Sequence, residues 1–332
     1  MNRRDSSIAT PGAPGREISS SGSHGASPWE SVGNTPLLRL SRVTRGLPAE
    51  VAVLAKAEWM NPGGSIKDRP AARMILDGVS RGLLGPGRTI IDATSGNTGI
   101  AYAMMGAALG YPVRICAPSN TEPGVLGILR AYGADLVLTD PGHGMDGSTR
   151  EVHRLVAESP GAYFFPDQMN NEANWRAHYD GTGKEIWRQT GGTVTHFVAG
   201  VGTGGTLVGT GRRLRELNAA VQLVCVQPSS PLHGLEGVRH LETTIVPRIY
   251  DPSLVDQTIA VETEAAQAMV VRLAREEGIF VGVSAGANVV AALRAAERLE
   301  SGVVVTVLPE GGRRFINQSF WQAVGHERRE KE

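Results

Sequence analysis

The sequence predicts an α/β protein of two domains, each a parallel sheet covered by helices on both faces. Three observations carry that expectation. Short apolar strands alternate with amphipathic helical stretches from Val51 to Leu308. The strands are apolar along their whole length, as in Leu223-Val-Cys-Val226, which marks burial on both faces. The chain has 332 residues, enough for two lobes with cores of their own.

In order, residues 1–27 are rich in Ser, Gly and Pro and are expected to form a disordered tail. Order is expected to begin near Pro28-Trp29-Glu30. Val51–Lys56 is the first strong strand, and an apolar helix-forming run starts at Ala71. Strands follow at Thr89–Asp92, Val113–Ala117, Leu136–Leu138 and Ala162–Phe165. Helices lie between and after them at Thr98–Leu109, Gly124–Tyr132, Asp146–Glu158 and Glu172–Gln189. The second half repeats the alternation. Strands are expected at His196–Ala199, Leu223–Val226 and Val303–Leu308, with helices at Thr206–Leu217, Glu264–Glu277 and Ser284–Arg298. The stretch from Gln227 to Ile259 carries much turn chemistry and is expected to be a loop-rich flap.

Composition excludes several classes. Thirty-three basic residues balance thirty-three acidic ones, which argues against nucleic acid or an anionic membrane as the main partner. No apolar run is long enough to span a bilayer. Arg3-Arg4 is followed by polar residues rather than an apolar signal core, so a cytoplasmic protein is expected. Cys116 and Cys225 both fall in apolar strands and read as buried free thiols, as in a reducing compartment. The histidines show no metal-ligand spacing, and no metal is assigned.

Chemistry concentrates in three stretches. Asn61-Pro-Gly-Gly-Ser-Ile-Lys67 puts one lysine at the end of a glycine-rich turn, just before a helix whose first turn holds Pro70. Asp68 or Ser65 can cap that helix. The helix dipole disfavours an ammonium there, and burial would lower its pKa further. A neutral buried lysine is what Schiff-base chemistry needs; the bland alternative is a solvated lysine in a capping loop. The second stretch, Thr94-Ser95-Gly96-Asn97-Thr98-Gly99, joins a strand to a helix. Its hydroxyls, amide and N–H groups suit a substrate carboxylate, or more plainly a helix cap.

The third stretch, Gly200-Val-Gly202-Thr203-Gly204-Gly205-Thr206, is again strand–loop–helix. It satisfies G-x-G-x-x-G, so a dinucleotide site must be weighed. The next strand ends in Gln227 where a ribose-binding acid would stand, and a lone phosphate monoester fits better. An imine-forming lysine, a phosphate loop and a carboxylate loop together point to pyridoxal 5′-phosphate (PLP).

The blocks NPGGSIKDR, TSGNTG, FFPDQMNNEAN, AHYDGTGKEIW, FVAGVGTGGT and EEGIFVGVSAGA occur in this order. They resemble the cysteine synthase and cystathionine β-synthase family of fold-type II PLP enzymes (tryptophan synthase β-like), most of all its cysteine synthase B branch. The resemblance runs from about Trp29 to about Phe320. It implies first strands over 28–60 that pack with the C-terminal domain, an N-terminal domain over 61–178 and a C-terminal domain over 179–322, before a polar tail at 323–332. It implies that Lys67 holds the cofactor and is the catalytic base. Asn97 then stands beside the 3′-oxygen, and Gly202, Thr203, Gly204, Gly205 and Thr206 cradle the phosphate. Thr94, Ser95, Thr98 and Gln168 bind the substrate carboxylate.

Many relatives carry a serine after Pro-Asp as partner of the pyridine nitrogen, where this chain reads Pro309-Glu310-Gly311. Ser284 resembles the partner used in the B branch, with Glu310 as the alternative. Arg239 resembles an arginine that binds the phosphate of O-phosphoserine. The implied reaction is β-replacement on O-acetylserine or O-phosphoserine by a sulfur nucleophile, through an α-aminoacrylate, giving L-cysteine. A homodimer and a sulfur-carrier protein are the implied partners. The rival PLP activities are cystathionine β-synthase, diaminopropionate synthase and serine dehydratase; the rival of another class is an NAD(P)-dependent oxidoreductase.

Overall fold

The computed structural model describes residues 27–318 and residues 320 and 321. The expected tail over 1–27, save Ser27, and the polar tail over 323–332 lie outside the described residues. In chain order the elements are β1 (Leu37–Leu40), β2 (Val51–Ala57), α1 (Asp68–Ser80), β3 (Thr89–Ala93), α2 (Asn97–Leu109), β4 (Val113–Pro118), α3 (Pro123–Ala131), β5 (Asp135–Thr139), α4 (Gly144–Glu158) and β6 (Tyr163–Phe164). There follow α5 (Glu172–Ala177), α6 (Gly183–Gln189), β7 (His196–Gly200), α7 (Gly205–Leu217), β8 (Gln222–Pro228), β9 (Gln257–Val261), α8 (Thr263–Arg272), α9 (Val283–Ala296) and β10 (Gly302–Leu308).

The chain divides into two compact units. One contains Ala71–Pro166, and the other contains Ser31–Pro70 and the chain from Asp167 onward. Segments 61–70 and 167–178, expected in the N-terminal domain, fall in the second unit. The reason is local pairing. Ile66 donates its N–H to the Pro309 carbonyl at 2.8 Å, Ser65 bridges Glu310, and Asn174 donates to the Thr203 hydroxyl at 3.1 Å.

The first unit is built on a four-stranded parallel sheet in the order β5-β4-β3-β6. Ile91, Cys116 and Val152 form a buried cluster that joins β3 and β4 to α4. In α2 every residue from Thr98 to Gly106 is buried. Gly106 is required there, because a Cβ would lie 2.2 Å from the Val113 side chain.

The second unit has a six-stranded sheet in the order β1-β2-β10-β7-β8-β9, parallel except for the antiparallel edge strand β1. Its central strands β7 and β8 bury both faces by strict alternation. Val198, Val224 and Val226 pack toward α8 and α9, while Phe197, Ala199, Leu223 and Cys225 pack toward α6 and α7. Cys116 and Cys225 are free and buried, and burial pushes the Cys116 thiol up to about 12. Among the described residues no helix is long and apolar enough to cross a membrane.

Three differences from the sequence reading stand out. The helix expected over 172–189 is two helices joined by a π-helical turn at His178–Thr182. The helix expected to run to Glu277 ends as an α-helix at Arg272 and closes with a π-helical turn. The two edge strands β1 and β9 are additional to the expected strands.

Candidate active site

Lys67 stands immediately before α1, at the end of a turn closed by Gly64 N–H donating to the Asn61 carbonyl at 2.8 Å. Gly64 has φ +84°, a conformation that suits glycine. Of the two candidate caps, Ser65 Oγ accepts the Lys67 N–H at 3.2 Å. Asp68 turns back instead and accepts the Gly63 N–H at 2.5 Å, which stiffens the turn. Burial raises the Asp68 carboxyl to about 7.

Lys67 as a residue is half-buried. The protein around it is still dense enough that desolvation lowers its pKa. Glu310 opposes that shift and Arg239 adds to it.

Beneath this turn lies a buried ion cluster. Arg69 reaches Glu58 and Glu185, each at 2.7 Å, and Lys56 reaches Glu185 at 2.7 Å. Thr35 donates its hydroxyl to Glu58 at 2.7 Å. Two cations and two anions thus close a neutral set, tied to the turn by Asn61, which donates to Glu58 Oε2 at 2.8 Å.

The 202–206 loop joins β7 to α7. Gly204 caps α7 in the left-handed region with φ +88° and has no side chain to cap with, while Thr203 Oγ1 accepts the Gly205 N–H at a long 3.4 Å. The first-turn N–H groups of a helix have no intrahelical acceptor and carry its positive end, so a start capped by a glycine is a seat for an anion. Two glycines here are fixed by crowding. A Cβ on Gly202 would lie 2.3 Å from the Gly237 carbonyl oxygen, and one on Gly205 would lie 2.0 Å from Asn174 Oδ1.

The flap therefore rests on the loop. Arg239 also donates its backbone N–H to the Val201 carbonyl at 2.8 Å. Ser284 is in the first turn of α9, and its Oγ lies 3.3 Å from Glu310 Oε1, both residues being buried. The second unit thus holds Lys67, Gln168, Gly202–Thr206, Arg239, Ser284 and Glu310 together.

Thr94, Ser95, Asn97 and Thr98 lie in the first unit, on the β3–α2 loop. Thr94 Oγ1 accepts the Gly96 N–H at 3.2 Å, and α2 also begins without a side-chain cap. Thr94 and Thr98 are buried whereas Ser95 is exposed.

The sequence alone does not single out Asn174, His178 and Asn288. Asn174 supports Thr203 as described. His178 lies between Thr182 Oγ1 at 2.9 Å and Thr206 Oγ1 at 3.3 Å. Burial, with Arg69 and Lys67 nearby, holds its pKa well below the usual value, so the ring is neutral. Asn288 accepts the Gly200 N–H at 2.8 Å and ties α9 to the start of the loop. The only signal for the first two in the chain is that they lie inside the FFPDQMNNEAN and AHYDGTGKEIW blocks.

The family model for pyridoxal-phosphate dependent enzymes matches residues 29–310. The chain belongs to that family. It is 50% identical over 295 residues to a cysteine synthase of Aquifex aeolicus, covering 87% of this chain and 90% of that one. To cysteine synthase B of Pseudomonas aeruginosa it is 44% identical, covering 88% and 96%. The crystal structure of a cysteine synthase from Entamoeba histolytica superposes with a TM-score of 0.86 at 33% identity, covering 96% of this chain and 94% of that one. The family fold is therefore this fold, and the cofactor is PLP.

The residues present fit that group. An amine of lowered basicity, a glycine-capped helix start and a buried hydroxyl on a carboxylate provide for its aldehyde, phosphate and ring. The dinucleotide alternative finds no acid at the end of β8. Gln227 stands there and accepts the Leu241 N–H at 3.3 Å.

Proposed function

We infer that this PLP-dependent enzyme is a cysteine synthase, replacing the β-substituent of an activated serine with a sulfur nucleophile to give L-cysteine. The observation that carries the reading is Lys67, desolvated and set in the same unit as the glycine-capped start of α7. PLP, when bound, supplies a carbonyl that condenses with amines and a ring that draws electrons from the α-carbon.

The chain's own residues do the rest. Lys67 anchors the cofactor and takes the α-proton as general base, a role its lowered pKa favours. Gly202, Thr203, Gly204, Gly205 and Thr206 hold the phosphate, with His178 and Asn174 fixing the two threonine hydroxyls. Asn97 is assigned to the 3′-oxygen and Ser284 to the ring nitrogen. Thr94, Ser95, Thr98 and Gln168 are assigned to the substrate carboxylate, which the uncapped start of α2 favours.

Arg239, whose backbone is fastened to Val201, is assigned to the phosphate of O-phosphoserine, since a guanidinium pairs with phosphate in a bidentate manner. The same reading takes the enzyme as a cytoplasmic homodimer, in keeping with two reduced thiols, with a sulfur-carrier protein as a candidate donor.

Turnover of O-acetylserine and O-phosphoserine with sulfide, thiosulfate and a thiocarboxylate carrier tests the function. Cysteine formed from at least one pair supports it. Tight PLP binding without cysteine from any pair overturns it. Arg239→Ala should depress the phosphoserine reaction selectively, and an equal loss for both esters removes its assignment.

A further inference from the structure

Glu310 is a buried carboxylate that directly precedes Gly311, the position where the sequence departs from the family pattern. Its place is fixed from four sides. Oε2 accepts from Arg314 Nη2 at 2.9 Å, and Oε1 faces Ser284 Oγ at 3.3 Å. Its backbone carbonyl accepts the Gly282 N–H at 3.2 Å, and Ser65, two residues before Lys67, bridges it from the other side.

A hydroxyl has one proton to give, and a carboxylate can only accept. In the Ser284–Glu310 contact the proton therefore points at Glu310. Ser284 is left with lone pairs alone for whatever lies beside Lys67. An acceptor demands a donor, and a pyridine nitrogen donates only when protonated.

We propose that Glu310, acting through Ser284, keeps the ring nitrogen of bound PLP protonated, and that it does so as a positioning residue. The inference rests on the assignment of Ser284 to that nitrogen. Arg314 makes the arrangement one-directional, because it holds Glu310 Oε2 and turns Oε1 toward the serine. A protonated ring is the stronger electron sink, so this chain would stabilise negative charge at the α-carbon better than an enzyme with a serine alone.

The isosteric variant Glu310→Gln inverts the contact. Arg314 selects the amide oxygen, the amide NH2 then donates to Ser284, and the serine proton turns to the ring nitrogen, which must be unprotonated to accept it.

The test is 15N NMR of wild type, Glu310→Gln and Ser284→Ala reconstituted with ring-15N PLP, each confirmed as loaded by its absorbance and its PLP stoichiometry. Wild type should show the nitrogen in the pyridinium range. Both variants should move it by the large downfield step toward free pyridine. A second measurement is the affinity of apoenzyme for PLP against its 1-deaza analogue, which has no ring nitrogen. Wild type should prefer PLP by about ten- to a hundredfold, the range of one hydrogen bond to a charged group, and Glu310→Gln should lose most of that preference.

A pyridine-type signal in wild type overturns the proposal, whether or not the variants fold. So does a pyridinium signal retained in Glu310→Gln. Failure of wild type to bind PLP overturns the proposed function along with it, whereas a loaded, active enzyme with an unprotonated ring overturns the Glu310 inference alone.

Discussion

Replacing Glu185 with alanine is the sharpest test of the buried ion cluster tied to the Lys67 turn. Its carboxylate meets both Arg69 and Lys56 at 2.7 Å, and the Lys56 and Arg69 side chains are 0% and 4% exposed. Burial alone would raise the Glu185 carboxyl. The contacts with Arg69 and Lys56 outweigh it and hold the group at about 2, against an ordinary 4.5. At about 1.4 kcal/mol per pH unit, that difference corresponds to about 3 kcal/mol of stability.

Removing one partner of a buried ion pair costs about 3–5 kcal/mol by a separate route, because the stranded charge remains in the interior. Here Glu185→Ala strands two cations on Glu58 alone. The expected loss is therefore about 3–4 kcal/mol at pH 7, read as a lowered urea midpoint with an unchanged slope.

The pH dependence has a definite sign. A carboxyl with a depressed folded pKa stabilises above about 4.5 and loses that contribution as pH falls toward about 2. The gap between wild type and Glu185→Ala should thus be full at pH 6 and close steadily below pH 4.5. A loss under about 1 kcal/mol at pH 7, or a gap that stays constant down to pH 2.5, would refute the reasoning.

Further outcomes follow from other contacts. Gly202→Ala should cost at least about 1–3 kcal/mol in stability and weaken PLP binding with it, because the Gly237 carbonyl has to move; calorimetry and PLP titration of the apoprotein read both. Lys67→Ala should abolish the absorbance of covalently held PLP and all turnover, while the far-ultraviolet circular dichroism is retained. His178→Ala should weaken PLP about five- to tenfold by releasing Thr206, measured by equilibrium dialysis. Because burial keeps His178 neutral, the stability it confers is present above its ordinary 6.5 and declines as pH falls below it; a pH series of melting temperatures for wild type and His178→Ala should converge toward acid.

Much of this was legible in the chain. β7 and β8 announce themselves because both faces are buried, so Phe197 and Val198 are both apolar though they point opposite ways. Strand β9 does not, since it is an edge strand whose Thr258 and Ala260 face solvent, leaving only Ile259 and Val261 as inward apolar residues. Strand β1 is four residues long and includes Arg39, too little for a periodic signal. The break between α5 and α6 is also silent in the sequence, because helical periodicity survives one π-helical turn. That turn carries His178, so a residue behind the phosphate loop was hidden by the same smoothness. Lys67 and the two glycine loops were visible as residue types in order. The contacts among Ser284, Glu310 and Arg314 were not, because they join α9 to the segment after β10 and depend on packing alone.

The flap touches the phosphate loop at two backbone points, Gly237 against Gly202 and Arg239 against Val201, and neither involves the Arg239 side chain. On the proposed assignment of Arg239, replacing its side chain changes which leaving group is welcomed and removes a charge that lowers the Lys67 pKa, while these two backbone contacts stay in place. On that assignment leaving-group preference lies with one side chain, whereas position 202 is held to glycine by the Gly237 carbonyl.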